Sequence, residues 1–97
     1  MITLEDCVAF SGLTHEEILA IADHEHVPET VACALGEYLS ATSGGETQIR
    51  DMIVDDIRVA QGRGDRAEVQ RLLHVLHHYL TAHPQAAPLA HPWSSRA

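Results

Sequence analysis

Apolar residues in this chain return at three- and four-residue intervals, segment after segment, and nowhere alternate in the two-residue rhythm of a half-buried strand. That periodicity restricts the chain to an all-α fold. The clearest stretch runs from about Glu46 to Gln61, where Ile49, Met52, Ile53, Ile57 and Ala60 share one helical face. Another begins at Asp65, a good N-cap, and runs to about Ala82 with Val69, Leu72, Leu73, Leu76 and Leu80 in register. Gly62-Arg63-Gly64 separates these two helices, and Pro84 ends the second.

Start and stop signals place three more helices upstream. Thr3-x-x-Asp6 opens a short one that Ser11-Gly12 closes. Thr14-His15-Glu16-Glu17 is a capping box, in which the Thr hydroxyl and the Glu carboxylate each satisfy an orphan N–H. The helix it opens runs to about His26, with Ile18, Ile21 and Ala22 inward. Pro28 and Glu29 suit the start of a third helix, whose stripe is Val31, Ala34, Leu35 and Tyr38 and which Ser43-Gly44-Gly45 stops. The expectation is a compact bundle of about five helices within residues 1–83, neighbours antiparallel across short loops. The length of 97 residues suits one domain. Residues 84–97 change character, with Pro84, Pro88 and Pro92 among Ala, Gln and Ser, and this tail is expected to dock on the domain or on a partner through Trp93.

Charge divides the chain. Residues 1–49 carry nine acids and no Lys or Arg, whereas from Arg50 onward six Arg face five acids, for a formal net charge of −8. An acidic first half repels phosphate, which excludes a general nucleic-acid binder. Residues 14–38 have the outline of a helix-turn-helix, yet the segment that would enter the groove, Glu29 to Tyr38, has no basic residue. The charge layout suits a basic protein partner, a cation, or self-association against the Arg-bearing half through Arg58, Arg63, Arg66 and Arg71. Its plain alternative is a solvated acidic surface.

No apolar run approaches the ~18 residues of a membrane span. The first residues lack the basic n-region of a secretory signal, so the expected setting is cytoplasmic. Cys7 and Cys33, with no Cys-x-x-Cys spacing, are accordingly read as reduced thiols, Cys33 as a small buried hydrophobe.

Eight histidines are the compositional outlier. They make the chain a candidate pH responder, since imidazole changes charge near pH 6.5. His74 and His78 stand one turn apart on the last helix, as do His74 and His77, and an i, i+4 pair can mount zinc or another divalent transition metal. Asp23-x-x-His26 offers a carboxylate and an imidazole to complete such a site. The competing reading makes His24, His26, His78 and His83 caps against helix dipoles, with no cofactor. Asp56 interrupts the apolar stripe of the fourth helix, where a carboxylate is costly unless paired. In an antiparallel hairpin about Arg63-Gly64 it lies level with Arg71, its expected ion-pair partner.

No phosphate-cradling glycine loop, Ser/His/Asp order or Cys/His motif is present, so nothing announces an enzyme. Arg63-Gly64-Asp65 reads as a helix stop followed by an N-cap. The stretches Leu13-Thr14-His15-Glu16-Glu17-Ile18, His24-Glu25-His26-Val27-Pro28-Glu29 and Leu35-Gly36-Glu37-Tyr38-Leu39 resemble a group of short, uncharacterised helical bacterial proteins over most of residues 3–84. That resemblance implies an all-helical fold and transfers no catalytic or binding residue. The expected function is a non-catalytic interaction or regulatory module, as a homodimer or with a protein partner; the alternative is a His-based metal-binding or sensing protein.

Overall fold

The computed structural model describes residues 3–87. Five α-helices, α1 (Leu4–Ser11), α2 (His15–Glu25), α3 (Glu29–Ser40), α4 (Gly45–Gly62) and α5 (Arg66–Ala82), are followed by a 3₁₀ turn at Pro84–Ala86. The expected docking of Trp93 and the rest of the tail lies outside the described residues. The tail's first residues do not leave the body: the 3₁₀ turn packs on α4 and α5, and Ala86 is buried.

The capping residues read from the sequence do their work. Thr3 and Thr14 each close a reciprocal capping box, with Asp6 and with Glu17, and the Asp65 side chain accepts from the Glu68 N–H. Helix α2 ends on His26, which adopts a left-handed conformation at φ 57°.

Helices α4 and α5 form an antiparallel hairpin. The Tyr79 hydroxyl donates to the Glu46 carbonyl (3.4 Å) at one end, and the Asp65 N–H donates to the Ala60 carbonyl (3.0 Å) at the other. Against this hairpin lies α2, and α3 packs on α2, α4 and α1. Ile18 and Ile21 of α2 meet Ile49, Ile53 and Ile57 of α4 and Leu72, Val75 and Tyr79 of α5 in one core. The inward line of α5 is therefore 72-75-79; Leu73, expected in the stripe, is exposed.

Helix α3 departs further from expectation. Its buried residues are Ala32, Cys33, Gly36 and Leu39, while Val31, Ala34 and Tyr38 of the expected stripe are exposed. The reason is size. A Cβ at Gly36 would lie 2.5 Å from Leu13 Cδ1 and 3.2 Å from Ile21 Cδ1, so only the face of small residues can approach the body this closely. At the next corner a Cβ on Gly45 would collide with the backbone carbonyl of Leu39, which fixes how tightly α3 turns into α4.

The cysteines are also corrected. Cys7 of α1 and Cys33 of α3 form a disulfide, their Cα atoms 6.3 Å apart, in place of the two expected thiols. Of the described side chains of α1, Ser11 is buried, Cys7 and Val8 are partly covered, and Glu5, Asp6, Ala9 and Phe10 are exposed. The bridge ties α1 covalently to α3, and Val8 packs beside it against the core.

Candidate functional site

Two surface features could carry function. The first is a cleft of about 410 Å³ where the end of α2 (Asp23, His24, His26) meets α4 (Asp55, Asp56, Val59, Arg63) and the first turns of α5 (Glu68, Leu72). His24 is central to it. Its Nδ1 lies 2.8 Å from Glu25 Oε2 and its Nε2 lies 3.5 Å from Asp55 Oδ2. Burial alone would lower the affinity of this imidazole for a proton, but the carboxylates of Glu25, Asp56 and Asp55 together raise its pKa. Asp56, half-buried, is raised as well: burial contributes most, the nearby acids Asp23, Asp55 and Glu68 add to it, and His24 opposes it.

Arg71 does not supply Asp56 with the expected ion pair. Its guanidinium grips Glu68 of its own helix through two bonds, Nε to Oε1 (2.9 Å) and Nη2 to Oε2 (2.8 Å), and reaches Glu16 Oε2 at 3.3 Å and Asp23 Oδ2 at 4.0 Å. A partner one turn away on the same helix costs little ordering entropy, and it wins over one across the hairpin. The bidentate bond to Glu68 and the α2 acids hold the Arg71 pKa above its ordinary value, and Arg71 holds that of Glu68 below.

The candidate metal ligands do not gather. Asp23 and His26 line the cleft, His74 is exposed on α5, and the Nδ1 of His78 lies 3.1 Å from Glu17 Oε2. Among the described residues no group of three or more His, Cys, Asp or Glu side chains could hold an ion. Of the arginines expected to meet a partner, Arg58, Arg63 and Arg66 are exposed around the α4–α5 turn, with Arg63 Nη2 3.8 Å from Asp65 Oδ2. Sequence reading missed Arg50, whose Nη1 donates to the Ala86 carbonyl at 2.8 Å and so ties the 3₁₀ turn to α4.

The second feature is the outer face of α1 and α3. Phe10 is 73% exposed, Tyr38 66% and Val31 50%. Val31, Ala34 and Tyr38 follow one another at i, i+3 and i+7 on α3, and a groove of about 260 Å³ between the helices is lined by Thr3, Cys7, Phe10, Thr30, Ala34 and Glu37. The disulfide sets the spacing of its two walls. The signal was in the sequence, since α3 has apolar residues on both sides, and one helix in a small bundle cannot bury both.

No helix among the described residues is long and apolar enough to cross a membrane. Comparison with protein-family models, with curated proteins and with solved structures finds no match for this chain.

Proposed function

We propose that the chain is a non-catalytic helical interaction module whose binding surface is the outer face of α1 and α3. The observation that carries this reading is that three of the five exposed large apolar side chains among the described residues, Phe10, Val31 and Tyr38, lie on these two helices and include both exposed aromatic rings, while Val59 and Leu73 stand singly on α4 and α5. Exposed apolar residues scattered singly are ordinary, whereas a run of them beside a groove marks an interaction site. Holding such rings in water gives up stabilisation that folding alone would favour, and a bound partner restores it.

The α2–α4–α5 cleft supports catalysis poorly. Both ring nitrogens of His24 face carboxylates, which leaves neither positioned to pass a proton to a substrate. A closed Cys7–Cys33 bridge fits an oxidising setting better than the reducing cytoplasm that the start of the chain suggested.

The test is site-directed photocrosslinking in the cell that makes the protein. A benzophenone side chain at position 38 should give a discrete adduct of higher mass, and the same group at Gln70, exposed on α5, should give none. Equal labelling from both positions, or none from position 38, would overturn the reading.

A further inference from the structure

This inference rests on the docking reading of the α1–α3 face and names the partner's chemistry. Helices α1 and α3 carry Glu5, Asp6, Glu29 and Glu37 and not one Lys, Arg or His. Glu5, Asp6 and Glu37 are exposed, and Glu37 forms part of the groove wall beside Phe10 and Ala34. Glu29 is partnered by His15 Nε2 at 3.2 Å, so the surface is an apolar groove whose free rim charges are the carboxylates of Glu5, Asp6 and Glu37. Its exposed apolar residues stand at the i, i+3, i+7 spacing by which one helix meets another.

We propose that this face takes a cationic amphipathic helical segment of another protein, with aliphatic side chains in the groove and Lys or Arg along the acidic rim. A second copy docked by two-fold symmetry would set the same acids against each other on chains that each carry a net charge of −8. The α4–α5 end of a second copy does expose Arg58, Arg63 and Arg66, but it is of mixed sign, because Arg63 pairs with Asp65 and shares its cleft with Asp23, Asp55, Asp56 and Glu68, and it fits a purely acidic rim less well than a cationic helix does. The apolar contact gives affinity once the segment is seated, while the rim speeds encounter and rejects acidic competitors.

The test uses the full, disulfide-bonded chain and three labelled synthetic peptides read by fluorescence anisotropy. One is a helix with Leu on one face and Arg on the other, the second has Glu in place of Arg, and the third is a scramble of the first that lacks an apolar face. The Leu/Arg helix should bind, and Phe10→Ser/Tyr38→Ser should weaken it at least about tenfold, as loss of central aromatic anchors does. Glu5→Gln/Glu37→Gln should weaken it several-fold, and more so at low salt. Asp55→Asn/Asp56→Asn removes the same formal charge from the cleft and should leave binding unchanged. Absence of binding by the Leu/Arg helix, equal binding of the Glu or scrambled peptide, or equal loss in the cleft variant would overturn the proposal. A crosslinked partner at position 38 whose contacting segment is acidic, or is a second copy of this chain, would overturn it too while leaving the docking reading intact.

Discussion

The Nδ1 of His78, near the end of α5, lies 3.1 Å from Oε2 of Glu17, a carboxylate only 1% exposed in the first turn of α2. The other oxygen of Glu17 accepts from the Thr14 N–H at 3.0 Å, so one side chain both caps α2 and anchors α5 to it. A residue readable as a capping-box acid is also the polar joint between two helices that are remote in sequence.

Removing that joint should be costly in proportion to what is left unpaired. Glu17→Ala deprives both the Thr14 N–H and His78 of their acceptor and should cost about 2 kcal/mol. His78→Ala leaves Glu17 with its cap intact and should cost about 1 kcal/mol. Urea unfolding of the two variants checks the order; a larger loss for His78→Ala would show that the cap is not the main role of Glu17.

The pH dependence of stability has a definite sign at His24. Its pKa is raised on folding, so its contribution is full below the unfolded value of 6.5 and fades as pH rises through the folded value. Asp56, also raised, acts in the same direction above the ordinary Asp value of 3.8. Stability should therefore fall as pH rises above 6.5 through the range of His24, by less than about 1 kcal/mol for this partly exposed group, with the Asp56 contribution lost from pH 3.8 upward. His24→Gln should flatten that slope, whereas an unchanged slope would mean that His24 is not its source.

Opening the disulfide should loosen one end of the molecule first. The bridge spans 26 residues, and Cys7→Ser/Cys33→Ala should lose about 3 kcal/mol on the loop-closure account. Amide exchange should rise across α1, while the α4–α5 hairpin keeps its protection. Uniform loss of protection would show instead that α1 is integral to the core.

Gly45→Ala sets two effects against each other. Alanine favours a helix over glycine by about 1 kcal/mol. The collision of its Cβ with the Leu39 carbonyl cannot be relieved by rotating a side chain, and overpacking of this kind costs about 1–3 kcal/mol or more. The variant should be destabilised, which thermal melting would show; a higher melting temperature would mean that the corner relaxes freely.

Helix starts and the α4 stripe were legible because their causes are local: Thr3, Thr14 and Asp65 cap within three residues, and Ile49, Ile53, Ile57 and Ala60 all face inward. Three other relationships depend on packing that a sequence does not display. The inward face of α3 was set by the small residues that fit against Leu13 and Ile21, not by its largest apolar side chains. Cys7 and Cys33 pair because α1 lies on α3, which their separation along the chain does not reveal. Asp56 and Arg71 were placed level by hairpin geometry, but Arg71 had Glu68 within one turn. The face proposed for docking was visible only as an excess of apolar residues on α3, and its exposure emerged once the core had been filled from the other side.

The measurement that bears most directly on the docking surface is amide chemical-shift mapping of the isotope-labelled, disulfide-bonded protein during titration with the Leu/Arg helix. The account predicts that the perturbed amides concentrate around Phe10, Val31, Ala34, Glu37 and Tyr38 on α1 and α3. Perturbation concentrated instead around His24, Asp55 and Asp56 would contradict it and move the functional site to the α2–α4–α5 cleft.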